Sequence, residues 1–192
     1  MHTLIFATNN RNKVAEIQSL VGPNFTIIPL KEAGIEIDIP EPHDQLEANA
    51  LEKAMTIFNL TNQACFSEDT GLEIAALGGA PGVKSARYAG ENSNPQANID
   101  LVLSKMEDVE NRTAQFRTVI CLVWENQTYY FEGICKGQIL TAMQGENGFG
   151  YDPIFMPDGA SKSFANMTMA EKNQFSHRKK AVAQLFEFLG TL

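Results

Sequence analysis

The sequence predicts a mixed α/β fold, and three observations carry that expectation. The apolar run Leu4-Ile5-Phe6-Ala7 passes through a polar loop into a helical pattern and then into a second apolar run, which makes an opening βαβ unit. Thr113–Trp124 and Thr128–Ile139 are separated only by Glu125-Asn126-Gln127 and read as a long antiparallel hairpin. Helical periodicity recurs before and after that hairpin, so parallel and antiparallel strands belong to one mixed sheet with helices beside it.

The first strand breaks at Thr8-Asn9-Asn10, and from Lys13 onward Val14, Ile17, Leu20 and Val21 fall at helical spacing. Gly22-Pro23-Asn24 stops this helix, and Phe25 to Leu30 returns as a strand. Ile35 to Ile39 alternates apolar and acidic residues before the break at Pro40-Glu41-Pro42. Leu46, Ala50, Ala54, Ile57 and Phe58 predict a long helix reaching about Leu60. Ala64-Cys65-Phe66-Ser67 predicts a brief strand ending at Glu68-Asp69-Thr70-Gly71, and Gly78 to Gly82 a flexible loop. A helix from about Gln96 to Met106 and a last helix from about His177 to Leu189 complete the reading.

The 192 residues suit a single domain spanning 1–192, long enough to bury roughly 70% of the surface of the unfolded chain. Hydrophobic residues make up 44% and charged residues 20%, which is a globular and not a disordered composition. Apolar stretches such as Val119–Trp124 are too short to span a bilayer, and Met1-His2-Thr3 carries no charged leader, so neither membrane nor export is expected. Cys65, Cys121 and Cys135 form an odd set without a Cys-x-x-Cys pair and read as buried hydrophobes in a reducing cytoplasm. A net charge of −8 argues against binding long nucleic acid, whose affinity rests on many cationic contacts.

Four segments carry candidate chemistry. Thr8-Asn9-Asn10-Arg11-Asn12-Lys13 joins a strand to a helix N-terminus, where unpaired backbone N–H groups and polar side chains can cradle phosphate; it lacks the glycine pattern of a P-loop. Glu41 and Glu68-Asp69 place carboxylates at loop and strand ends, where they could hold magnesium. An aspartyl-phosphate enzyme would carry a second aspartate two residues after Asp69, where Gly71 stands. Gly148-Phe149-Gly150-Tyr151-Asp152-Pro153 sets an aromatic between glycines, leaving the ring open to a flat ligand. Lys172 and Ser176-His177-Arg178 supply cations and directional donors.

In this order the segments resemble the inosine triphosphate pyrophosphatase (Ham1-like) family. The resemblance also draws on Glu47-Ala48-Asn49-Ala50, Lys53-Ala54, Gly79-Ala80-Pro81-Gly82 and Ser85-Ala86-Arg87-Tyr88. It implies a long central sheet with flanking helices, two lobes around a cleft, a homodimer, and magnesium-dependent cleavage of purine nucleoside triphosphates between the α and β phosphates. By the same resemblance Thr8 to Lys13 would hold the triphosphate, Asp69 would accept a proton and bind metal with Glu41, and Glu68 would assist. Thr70 would touch substrate, Phe149 would stack on the purine, and Gly150, Tyr151 and Asp152 would line its pocket. Lys172 would reach phosphate or base, and His177 with Arg178 would read the 6-oxo group. Many relatives carry Asp-Asp-Ser-Gly where this chain has Glu68-Asp69-Thr70-Gly71.

Overall fold

The computed structural model describes residues 2–191; Met1 and Leu192 lie outside them. Seven strands form one mixed sheet: β1 (His2–Phe6), β2 (Phe25–Pro29), β3 (Cys65–Ile74), β4 (Pro81–Gly82), β5 (Thr113–Trp124), β6 (Gln127–Ile139) and β7 (Phe155–Pro157). The strand order is β2-β1-β3-β5-β6-β7, with β4 paired to β3. Five α-helices accompany it: α1 (Arg11–Gln18), α2 (Leu46–Thr61), α3 (Pro95–Lys105), α4 (Met169–Phe175) and α5 (His177–Leu189). The expected mixed α/β class is found.

The chain divides into two compact units, one of residues 1–69, 118–133 and 178–192, the other of residues 70–117 and 134–177. In the first unit β1 pairs in parallel with β2, from His2↔Phe25 to Phe6↔Pro29, and with β3 at Ile5↔Cys65 and Phe6↔Phe66. Its core gathers Leu4, Phe6, Ile17, Phe66, Ile120, Leu122 and the apolar face of α5, with Phe6 and Phe66 stacked at 4.6 Å. Dense packing of this kind is what makes short strands such as β1 persist. Cys65 and Cys121 are free and buried, and burial pushes their thiols up to about 12 and about 11.

In the second unit Leu72, Ile74, Ile99, Val102, Phe116, Ile139, Phe155 and Phe164 belong to a separate core. Asn94 caps α3, its side chain accepting from the Ala97 amide, with Pro95 opening the first turn. The β6–β7 pairing runs antiparallel from Gly137↔Pro157 to Ile139↔Phe155, and Gly137 is required because a side chain there would strike the Met156 carbonyl.

The strand through Glu68 differs from expectation. A brief strand ending at Glu68-Asp69-Thr70-Gly71 was expected, yet β3 continues to Ile74, with Glu68 and Asp69 buried inside it. The carboxylates tolerate this because side chains distant in sequence satisfy them. The helix α4, opened by a capping box between Thr168 and Glu171, was also not foreseen. Among the described residues no helix is long and apolar enough to cross a membrane.

Candidate active site

In the first unit β1 delivers the chain into the loop before α1. Asn10 caps that helix, its side-chain oxygen accepting from the Asn12 amide at 3.0 Å and the Lys13 amide at 3.2 Å. Thr8 Oγ1 accepts from the Asn10 amide, and Asn9 Nδ2 donates to the Ile37 carbonyl at 2.9 Å. The free N–H cradle expected at this helix start is therefore partly spent on Asn10 itself. What the loop offers an anion is the side chains of Thr8, Arg11, Asn12 and Lys13, of which Arg11 and Asn12 are exposed.

Lys13 Nζ lies 3.2 Å from Glu68 Oε1. Arg178, in the first turn of α5, grips Glu68 through two bonds, Nε to Oε2 at 2.7 Å and Nη2 to Oε1 at 2.9 Å, and its Nη1 donates to Glu16. Arg178 and Glu68 are each 2% exposed. Burial alone would raise the Glu68 pKa, but the Arg178 and Lys13 charges outweigh it and hold this carboxyl well below its ordinary range. Three of the Arg178 N–H groups go to Glu68 and Glu16. Glu16, which the sequence reading did not single out, completes the clamp.

Asp69, next in β3, is bound by α2. Lys53 Nζ donates to Asp69 Oδ1 at 3.1 Å and to Glu41 Oε1 at 2.5 Å. Asn49, one turn earlier, donates to Asp69 Oδ2 at 3.4 Å and brackets His43, accepting from its amide and donating to its carbonyl at 3.0 Å each. The proline-bounded loop carrying Glu41 is thus tied to the helix that faces Asp69. Burial raises the Asp69 pKa, with Glu41 adding like charge, against the opposing pull of Lys53 and Lys13. For Lys53 burial would lower the pKa, yet Asp69 and Glu41 prevail and raise it.

Asn49 and Lys53 stand in a segment the sequence reading noted without giving them a role. The signal was available: two polar residues four apart lie on the same stripe of α2 as Leu46, Ala50, Ala54 and Ile57, and that face is buried. Glu41 and Asp69 are the two carboxylates that the sequence offered as magnesium ligands, and both face Lys53. Their oxygens converge on a cation that is already present, the Lys53 ammonium. Among the described residues no group of three or more His, Cys, Asp or Glu side chains is placed to hold a metal ion.

The second unit holds the aromatic turn. Gly148 and Gly150 adopt φ of +77° and +60°, and a side chain at Gly148 would strike the Asp152 carboxylate. Asp152 Oδ2 accepts from the Phe149 amide at 2.9 Å and from Lys172 Nζ at 2.6 Å. Lys172 Nζ sits 5.2 Å from the ring centres of both Phe149 and Phe164. Tyr151 was expected to line a pocket, but its ring belongs to the core and its hydroxyl donates to the Ser85 carbonyl at 2.8 Å, so it anchors the turn. Ser85 in turn accepts from the Leu72 amide and donates to the Gly82 carbonyl. Asp152 likewise locks the turn through its own carboxylate. His177 is buried with its ring stacked on Phe116 at 4.7 Å. Thr70, half-buried, begins this unit's share of β3.

The model of the Ham1 family matches residues 4–188. A protein named dITP/XTP pyrophosphatase from Flavobacterium johnsoniae is 48% identical over 186 residues, covering 97% of each chain. One of the same name from Porphyromonas gingivalis is 48% identical over 190 residues, covering 98% of each. A HAM1 protein from Coxiella burnetii has a solved structure that superposes with a TM-score of 0.91 at 36% identity over 100% of both chains. The Ham1 protein of Staphylococcus aureus superposes with a TM-score of 0.89 at 36% identity over 98% of both.

Proposed function

Because the chain belongs to the Ham1 family, we propose that it hydrolyses non-standard purine nucleoside triphosphates, dITP, XTP and ITP, to the monophosphate and pyrophosphate with magnesium as cofactor. The observation that most supports this reading is the convergence of Glu41 and Asp69 on one cation, Asp69 being itself a buried carboxylate of raised proton affinity.

Cleavage of a phosphoanhydride needs charge neutralisation and an oriented water more than covalent chemistry. Magnesium held by Glu41 and Asp69 would supply part of that neutralisation. Asp69 takes the proton of the attacking water, a role for which a carboxylate of raised pKa is better suited than a solvated one. Lys13 offsets phosphate charge, and Glu68, clamped by Arg178, keeps the Lys13 ammonium in position. Thr8, Arg11 and Asn12 contribute side chains toward the triphosphate, Asn9 and Asn10 hold the loop in shape through Ile37 and the helix cap, and Thr70 touches substrate. Phe149 stacks on the purine, with Gly150 leaving its face open. Lys172, fixed above that ring by Asp152, donates to the 6-oxo group, which adenine lacks. His177 supports the base region through Phe116, and Arg178 serves Glu68 instead of the base. A homodimer and a cytoplasmic location complete the proposal, the first supported by the family resemblance and the second by free, buried cysteines.

The test is product analysis with dITP, XTP, dATP and dTTP, with magnesium present or chelated. The reading expects pyrophosphate from dITP and XTP, kcat/KM about 100-fold or more above dATP, and loss of turnover on chelation. Orthophosphate as first product, or equal rates for dITP and dATP, would contradict it.

A further inference from the structure

We propose that the Lys53 ammonium is the resident occupant of the divalent-cation seat, holding Glu41 and Asp69 together until metal arrives and leaving that position when metal binds. The inference rests on the reading of Glu41 and Asp69 as the magnesium ligands. Lys53 is 7% exposed, rises from the buried face of α2, and bonds Glu41 Oε1 at 2.5 Å and Asp69 Oδ1 at 3.1 Å. Magnesium bonds carboxylate oxygens at about 2.0–2.1 Å, so an ion on the same Glu41 oxygen lies within about 5 Å of the present ammonium position. A dication and an ammonium at that range repel, with Lys53 and Asp69 buried and Glu41 partly exposed to water. The exchange of one cation for another has two consequences. The buried Asp69 carboxylate and its partly exposed neighbour Glu41 are never left facing each other uncompensated. Metal affinity also stays modest until substrate phosphates add their oxygens, so metal and nucleotide bind cooperatively.

The experiment measures Mn2+ binding by electron paramagnetic resonance at pH 8 without nucleotide, for the full chain and its K53Q and E41Q variants. Removing one unit charge within about 5 Å of the ion should tighten Mn2+ binding by about tenfold in K53Q, whereas E41Q should weaken it. Unchanged or weaker binding by K53Q, with E41Q weakened, would overturn the exchange while leaving the metal site standing. Unchanged binding by E41Q would overturn the metal assignment, and the exchange with it. A wild-type arm guards against misfolded variants: the lysine side-chain resonances of the isotope-labelled chain are followed during a Mg2+ titration. The buried Lys53 resonance should move in step with metal occupancy, and one that stays fixed at saturating Mg2+ would overturn the proposal.

Discussion

In the first unit Glu16, Glu41, Glu68 and Asp69 meet Lys13, Lys53 and Arg178, and among these residues carboxylates outnumber cations. In the second unit Asp152 and Lys172 form a matched pair against the rings of Phe149 and Phe164. Surplus negative charge suits a place that receives a divalent cation and a proton. A neutral pair beside an aromatic ring suits a flat, uncharged base. On the proposed function, the contrast separates chemistry from recognition and gives each its own supporting residues. Identical residue types also stand in different surroundings: Lys53 bridges two carboxylates, while Lys172 pairs with Asp152 and lies over two rings.

The largest effect that could break this division comes from Asp69→Asn. The substitution keeps the shape but removes the basic lone pair, so turnover of dITP should fall by about 10²- to 10⁴-fold with the thermal midpoint nearly unchanged. Near-normal pyrophosphate release from the folded variant would remove Asp69 from the chemistry. Arg178→Ala comes next. Deleting one partner of a buried ionic cluster should cost about 3–5 kcal/mol of stability, measured by denaturant unfolding. At a temperature where the variant is folded, dITP and dATP should lose kcat/KM equally. Selective loss for dITP would return Arg178 to the base.

A smaller effect concerns acid. The folded-state pKa of Glu68 is depressed, so its contribution to stability is present above the unfolded carboxylate value of about 4.3 and is lost as pH falls toward the folded value. The stability difference between wild type and Glu68→Gln should therefore narrow from pH 5 downward. Urea midpoints measured from pH 7 to pH 3 check this, and a constant difference would mean that the clamp does not shift the Glu68 ionisation.

The sequence exposed those features whose cause is local. Apolar spacing at Leu46, Ala50, Ala54 and Ile57 marked α2, and the β-rich runs on either side of Glu125-Asn126 marked the hairpin, where both turn residues adopt positive φ. The continuation of β3 was not legible, because Glu68-Asp69-Thr70-Gly71 has turn composition and becomes a buried strand only when Arg178, Lys53 and Asn49 satisfy it from far along the chain. Asn10, Lys13, Glu41 and Asp69 could be named from motif order. Their partners Glu16, Asn49 and Lys53 could not, since a hydrogen-bonded polar residue on a buried helix face looks, in one sequence, like an interruption of that face.

The division of labour is tested most directly by kcat/KM for dITP and dATP in wild type, Lys13→Ala and Lys172→Met. Lys13→Ala should lower both substrates by the same factor and leave their ratio intact, because the triphosphate is common to both. On the proposed donation of Lys172 to the 6-oxo group, Lys172→Met should cost dITP about 10- to 100-fold, for a bond of roughly 1.5–3 kcal/mol, while dATP loses much less. A changed ratio in Lys13→Ala, or equal losses in Lys172→Met, would contradict the account.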